Sequence, residues 1–194
     1  KTIYMPNSYM PFNDEIKISD KEFLRSDFHL SEDSFVLAAF HKNIKITKKE
    51  IIIWSRILSK IPKSIIWISD MREEAKMNLL DYFNKQGINS DKIHFATRMA
   101  SREEHLARHS CADLLLDTFY YNGHSTVLDS LWSGLPVITL LGKTFSARVS
   151  ASLLTTLNLN ELIAHDFNQY EDIIIKLAND RKRLNNLKNK LKSS

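Results

Sequence analysis

The stretch Leu114-Leu115-Leu116-Asp117-Thr118-Phe119-Tyr120-Tyr121-Asn122-Gly123-His124-Ser125-Thr126-Val127-Leu128-Asp129 decides how the chain is read. Its apolar start has no polar alternation, as a strand buried on both faces requires. The run stops on Asp-Thr, a loop passes through Asn-Gly, and two hydroxyl residues open a helical pattern. Ser125 and Thr126 would add hydroxyls to the unpaired N–H groups of a helix N-terminus, the usual equipment for holding phosphate. Gly123 permits a left-handed turn or a close backbone approach. Asp129 falls one turn inside that helix, where a carboxylate can accept from ribose hydroxyls. An ordinary N-cap followed by a surface acid explains the same residues, and both readings stay open on local grounds.

Outward from this stretch the same unit repeats. Short apolar runs at Phe35–Phe40, Ser64–Ile68, Ile93–Ala96, Leu114–Asp117, Pro136–Leu140 and Leu162–Ala164 alternate with helical patterns near 47–61, 73–86, 101–111, 125–133, 146–158 and 169–192. Thr47 with Glu50 three residues on forms a capping box, and Gly87 closes the second helix. Strand–helix alternation of this length predicts an α/β fold, a Rossmann-like parallel sheet joined by right-handed crossovers and covered by helices on both faces. Ligands of such sheets bind beyond the carboxyl ends of the strands. The tryptophans Trp54, Trp67 and Trp132 lie in apolar segments and read as core, and Cys111 reads as a packed thiol. Residues 1–34 carry Pro6 and Pro11 with no sustained period and read as an extended arm or linker; 35–180 form the main domain, and 181–194 a basic C-terminal helix or tail.

Composition narrows the function. The chain has 194 residues, 43% hydrophobic and 26% charged, which is globular composition. No apolar run reaches the ~18 residues of a membrane helix, and the start lacks a signal-peptide core. One cysteine excludes an internal disulfide framework and fits a reducing, cytoplasmic setting. Neither GxGxxG nor GxxxxGK[ST] occurs. The net charge of +4 belongs to the end of the chain. Residues 181–194 hold six of the 27 Lys/Arg and no acid, which leaves 21 basic against 23 acidic side chains elsewhere, a net of −2. Such a tail attracts nucleic acid or anionic lipid, or is a solvated terminal helix. No evenly basic surface with interleaved aromatics supports a nucleic-acid binder.

The other strand ends add cations. After the first run come Lys42 and Lys45, just ahead of a helix start, where ammonium and helix N-terminus favour the same anion. After the third come Ala100-Ser101-Arg102-Glu103-Glu104-His105-Leu106-Ala107-Arg108-His109. His105 and His109 have the i,i+4 spacing of metal ligands, but no third ligand of a recognised pattern accompanies them. His105 and Arg108 could instead stack on and hydrogen-bond a base, with Arg102 reaching a ribose or phosphate.

Together, FHKNIKI (40–46), SREEHLARHSCADLLLDT (101–118), YNGHSTVLDSLWSGLPVIT (121–139) and FSARVSASLL (145–154) resemble the C-terminal catalytic half of the O-linked N-acetylglucosamine transferases, including bacterial tetratricopeptide-linked relatives and plant SPINDLY-type enzymes. The likeness runs from about Tyr4 to Leu177. It implies the C-terminal, donor-binding lobe of a GT-B glycosyltransferase. Such an enzyme inverts the anomeric centre, needs no metal, and moves a sugar from a UDP-sugar donor, UDP-N-acetylglucosamine foremost, to an acceptor protein or peptide. Carried over by motif, Lys45 is the catalytic lysine at the diphosphate. Ala100, Arg102, His105 and Arg108 hold uridine, His124, Ser125 and Thr126 the phosphates, and Asp129 the ribose. Lys42, counted with the donor-binding residues, stands where relatives have an amide, so that a second ammonium faces the diphosphate or turns to solvent; Ser125 replaces threonine, and Arg102 replaces lysine. No Asp-x-Asp pair, the common metal-binding device of other transferases, occurs in the chain. The resemblance also implies partners within the same protein, an N-terminal catalytic lobe and tetratricopeptide repeats, and no cofactor, nucleic acid or membrane span. The competing expectation is a nucleotide-binding or interaction module without catalysis.

Overall fold

A computed structural model describes residues 8–10 and 13–192. Six strands, β1 (Phe35–Ala39), β2 (Ser64–Ser69), β3 (Ile93–Ala96), β4 (Leu114–Leu116), β5 (Val137–Leu140) and β6 (Ile163–Ala164), form one sheet in the order β3-β2-β1-β4-β5-β6. Every pairing is parallel, with registers such as Leu37↔Ile66, Leu37↔Leu114 and Leu115↔Val137. The helices are α1 (Lys48–Lys60), α2 (Glu73–Lys85), α3 (Arg102–Ala107), α4 (Ser125–Trp132), α5 (Val149–Thr156), α6 (Phe167–Asn179) and α7 (Arg181–Lys192). The chain builds outward from β1 to β3, then returns to the other side of β1 for β4 to β6. With right-handed crossovers this reversal puts helices on both faces and opens a crevice between the ends of β1 and β4.

The expected elements are present, and their limits differ for local reasons. Thr47 and Glu50 make the capping box of α1, with the Thr47 N–H donating to Glu50 Oε2 at 2.8 Å. Gly87, at φ 79°, ends α2 while the Ile88 N–H reaches back to the Phe83 carbonyl. The long pattern over 169–192 is two helices. Asp180 leaves helical geometry, and its carboxylate accepts from the Arg183 N–H at 2.9 Å, so it caps a new helix. The pattern over 101–111 becomes α3 followed by a 3-10 turn, and that over 146–158 opens with a 3-10 turn at Phe145–Ala147 before α5 starts at Val149.

All five residues of β1 are buried, and the core gathers Trp54 from α1, Trp67 from β2, Phe83 from α2 and Tyr170 from α6. Cys111 is buried, and burial raises its thiol pKa. Trp132 corrects the core expectation: it is 39% exposed, and its indole N–H donates to the Ile16 carbonyl of the preceding segment at 3.1 Å. The turn residues Met5-Pro6-Asn7 and Pro11-Phe12 lie outside the described residues. Farther on, the segment before β1 is irregular but packed. Leu30 is buried, and Phe28 meets Trp67 with ring centroids 4.8 Å apart. The basic end is packed as well, because Leu184, Leu187 and Leu191 share one face of α7 and are buried.

One carboxylate ties these two ends to the sheet. Asp113, just before β4, accepts from the Val36 N–H (2.9 Å) and Arg25 (2.8 Å) at Oδ2, and from Arg181 (3.0 Å) at Oδ1. The Lys188 ammonium lies 3.7 Å from Oδ1. Asp113 is nearly inaccessible to water, and removing one partner of a buried ion pair commonly costs about 3–5 kcal/mol. Asp113→Ala is expected to lower stability by that amount in urea unfolding followed by tryptophan fluorescence, whereas Lys63→Ala, which breaks an exposed pair with Asp33, should change it by less than about 1 kcal/mol.

Candidate functional site

The reversal of strand order brings the residues after β1 against those after β4. His41 makes the first link: its Nε2–H donates to the Leu116 carbonyl at 2.8 Å. Burial lowers its pKa, so the ring is neutral, and its buried Nδ1 has no hydrogen-bond partner.

Asp117 organises the loop beyond β4. Its Oδ1 accepts from the N–H groups of Thr118 (2.9 Å) and Gly123 (2.7 Å), and its Oδ2 from the Thr139 hydroxyl of β5 (2.7 Å). Glu50 Oε1 accepts from the Phe119 N–H at 2.9 Å, so the acid that caps α1 also holds this loop. Asn122 completes the set. Its N–H donates to the Ser146 carbonyl, its side-chain amide to the Thr118 carbonyl, and its Oδ1 accepts from the Ser150 N–H. Gly123 is required by contact. A Cβ there would stand 2.6 Å from His41 Cε1 and 2.8 Å from Val127 Cγ2.

Lys45 leans into this loop. Its ammonium donates to the Asn122 carbonyl at 2.7 Å and sits over the Tyr121 ring, 4.1 Å from the centroid. Burial lowers its pKa, with Asp117 pulling it back up and the Lys42 charge pushing it down. The loop then enters α4 through His124, whose φ of 40° and ψ of −106° are unusual for a residue with a side chain. The Thr126 N–H donates to the Gly123 carbonyl. Ser125 and Thr126 therefore open α4, directly after the loop whose Asn122 carbonyl and Tyr121 ring hold the Lys45 ammonium.

A recess of about 520 Å³ opens beyond β2 and β3, lined among others by Ser69, Thr97, Ala100, Arg102, His105 and Arg108. Arg108 is buried, donates to the Thr97 carbonyl at 2.6 Å, and lies 4.7 Å over the Phe40 ring. Burial pushes its pKa down to about 10. His105 falls to about 4 through burial and the Arg108 charge, and His109 to about 3 through burial and His105. Both imidazoles are neutral at neutral pH. The His109 Nδ1–H donates to the His105 carbonyl, which uses one of that ring's two nitrogens. Arg102 reaches from this recess to Asp129 on α4 at 2.7 Å.

Most of the residues singled out in the sequence thus lie along one edge of the sheet. Lys45, His124, Ser125 and Thr126 converge at the crevice; Ala100, Arg102, His105 and Arg108 line the neighbouring recess; the Arg102–Asp129 pair joins the two. Lys42 stands apart, exposed ahead of a 3-10 turn. Asp117, His41 and Glu50 were not among the expected site residues; Glu50 was read only as a helix cap, and an acid directly after a buried apolar run was a readable signal. Tyr9, whose hydroxyl lies 2.8 Å from His124 Nδ1, carried no sequence signal.

The strand order defines a Rossmann-like lobe, and the solved structures that share it make it a lobe of the GT-B kind. The C-terminal domain of a glycosyl transferase group 1 protein from Francisella tularensis shares this fold at 15% identity, with a TM-score of 0.59 over 90% of this chain and 89% of that one. Residues 14–194 match the model of Glycosyl transferase family 41, and the chain belongs to that family. It is 33% identical over 192 residues to the probable UDP-N-acetylglucosamine–peptide N-acetylglucosaminyltransferase SEC of Arabidopsis thaliana, covering 98% of this chain and 20% of that protein. The corresponding Caenorhabditis elegans transferase is 32% identical over 167 residues, 86% of this chain and 14% of that protein. An O-GlcNAc transferase mutant from Thermobaculum terrenum superposes with a TM-score of 0.78 at 27% identity, covering 81% of this chain and 31% of that one. The chain therefore spans a fifth or less of the length of these two curated relatives. Among the described residues no helix is long and apolar enough to cross a membrane.

The packing at Gly123 predicts that Gly123→Ala destabilises the chain by about 1–3 kcal/mol, the usual cost of overpacking. His41→Ala in the same chain should restore part of that loss, because His41 supplies the nearest contact. Chemical denaturation of the two single variants and the double variant measures the coupling.

Proposed function

We propose that this chain is the donor-binding lobe of an inverting, metal-independent glycosyltransferase that moves N-acetylglucosamine from its uridine diphosphate carrier to a protein side chain. The observation that carries the reading is the convergence of the Lys45 ammonium with the N-terminus of α4 at the strand-order reversal. Breaking the bond between sugar and diphosphate leaves negative charge on the departing phosphate. A fixed ammonium, the Ser125 N–H and two hydroxyls meet that charge without rearrangement, in a setting where preorganised donors act most strongly. Family membership and the names of the relatives support a uridine diphosphate sugar as donor and a peptide as acceptor.

In this reading the base enters the recess beyond β2 and β3. Neutral His105 offers a stacking face, Arg108 a buried positive wall, and Ala100 its backbone. The ribose reaches Asp129, whose carboxylate is already oriented by Arg102. The diphosphate then lies over the N-terminus of α4. Lys42 is a solvent-facing lysine that acts on the site through charge alone. The acceptor and its general base belong to an N-terminal lobe of the longer protein, with tetratricopeptide repeats as further partners.

Calorimetry of the chain with uridine diphosphate is expected to show binding that EDTA leaves unchanged; loss of binding on chelation would overturn the metal-independent mechanism. In the complete transferase, Lys45→Ala should lower kcat on the order of 100-fold with a much smaller change in donor affinity, since the lysine serves the departing charge more than the bound donor. Asp129→Ala should instead weaken donor binding, because ribose contacts exist before and during reaction. Near-normal turnover in Lys45→Ala would refute the assigned role. Donor binding without any transfer by the complete protein would favour a non-catalytic nucleotide-binding module.

A further inference from the structure

The amino-terminal segment reaches the candidate site through one side chain. The Tyr9 hydroxyl lies 2.8 Å from His124 Nδ1, a contact between residues 115 positions apart. The Tyr9 ring also meets Phe145 edge-on, with centroids 4.8 Å apart. His124 in turn stacks on Tyr121 at 4.9 Å with planes 19° apart, and Tyr121 is the ring under the Lys45 ammonium. Tyr9, His124, Tyr121 and Lys45 form one continuous chain of contacts.

His124 needs such support. Its positive φ is costly for a residue with a Cβ and persists only where the surroundings hold it. It is the residue from which α4 departs, yet its side chain makes no capping bond to that helix. The ring itself must be held from outside.

The proton positions follow from the contacts. Burial and the neighbouring Tyr121 raise the Tyr9 pKa, so its hydroxyl keeps its proton. Burial lowers the His124 pKa, so the imidazole is neutral and carries one N–H. Its buried Nε2 has no partner of ordinary hydrogen-bond geometry, and the Ser146 backbone is the neighbouring group that favours a proton on the ring. A neutral imidazole carries one ring proton, so a phenol that donates to Nδ1 requires that proton on Nε2.

We propose that Tyr9 is a positioning residue of the donor site: its hydroxyl selects the Nε2–H tautomer of His124 and holds the strained turn that aims Ser125 and Thr126 at the diphosphate. The proposal rests on the nucleotide-sugar reading above and deepens it. It also changes the part given to His124. With Nδ1 taken by Tyr9 and Nε2 buried, His124 serves the phosphates through backbone placement and not through an imidazole hydrogen bond.

Tyr9→Phe tests this, because it removes one oxygen and keeps the ring against Phe145. Two measurements on the whole chain at neutral pH are needed. Nitrogen-15 NMR of the ligand-free histidines should show His124 as the Nε2–H tautomer with an accepting Nδ1, and Tyr9→Phe should shift that signal toward a mixture of tautomers. Calorimetry with uridine diphosphate should show affinity about five- to tenfold weaker in the variant, the scale of one lost hydrogen bond, with an unchanged circular dichroism spectrum. An unchanged His124 signal, or affinity that is equal or tighter in the variant, would overturn the proposal; tighter binding would mean that the segment obstructs the site. If the parent chain does not bind uridine diphosphate, the donor-lobe reading fails, and the histidine spectrum still decides whether Tyr9 sets the tautomer.

Discussion

A carboxylate cut off from solvent, Asp117, sets the geometry on which the candidate site depends. It stands at the carboxyl end of β4, and its oxygens take two loop N–H groups and the Thr139 hydroxyl. An ionised acid in that position requires such donors, because an unsatisfied buried charge is far more costly than an unsatisfied amide. The loop has little freedom left once they are supplied. Gly123 is drawn against His41, Asn122 presents its carbonyl to Lys45, and α4 starts where the loop ends. The negative charge of Asp117 also sustains the Lys45 ammonium against the effect of burial.

The two residue groups along this edge differ in electrostatic character. Around the α4 N-terminus the groups are an ammonium, an amide and hydroxyls, suited to a localised anion. Beyond β2 and β3 the recess is lined by the neutral His105 imidazole and by the Arg108 guanidinium, which spreads over aromatic faces. A planar, hydrogen-bonding ligand suits that recess better than a point charge does. The Arg102–Asp129 pair lies between them, so one ligand spanning both groups would meet cation, carboxylate and helix N-terminus in sequence.

Behind the site the fold is drawn together by contacts between distant parts of the chain. Asp113 joins the segment before β1, the start of β4 and the last helix. Glu171 of α6 does the same on another face, pairing with Arg56 and Lys60 of α1. Both acids are almost fully enclosed while several of their cationic partners are half in water. Long basic side chains can cover apolar surface with their stems and keep their charge near solvent, which makes this arrangement tolerable.

The alternation of apolar runs and amphipathic stretches was enough to determine a parallel α/β sheet, because buried strands and one-sided helices leave different periodicities in a linear pattern. The capping box of Thr47 and Glu50, the stop at Gly87 and the loop through Asn122-Gly123 into a helix start at Ser125 were readable for the same reason: each is a local motif within a few residues. Lys45, Arg102, His105, Arg108 and Asp129 were legible as chemistry at strand ends. That they lie along one edge depends on the reversal of strand order. The break at Asp180, the exposed position of Trp132, the Asp113 junction and the Tyr9–His124 contact were decided by tertiary structure alone. Each depends on groups far apart in sequence competing for one place in space, and no periodicity or short motif records which of them arrives there.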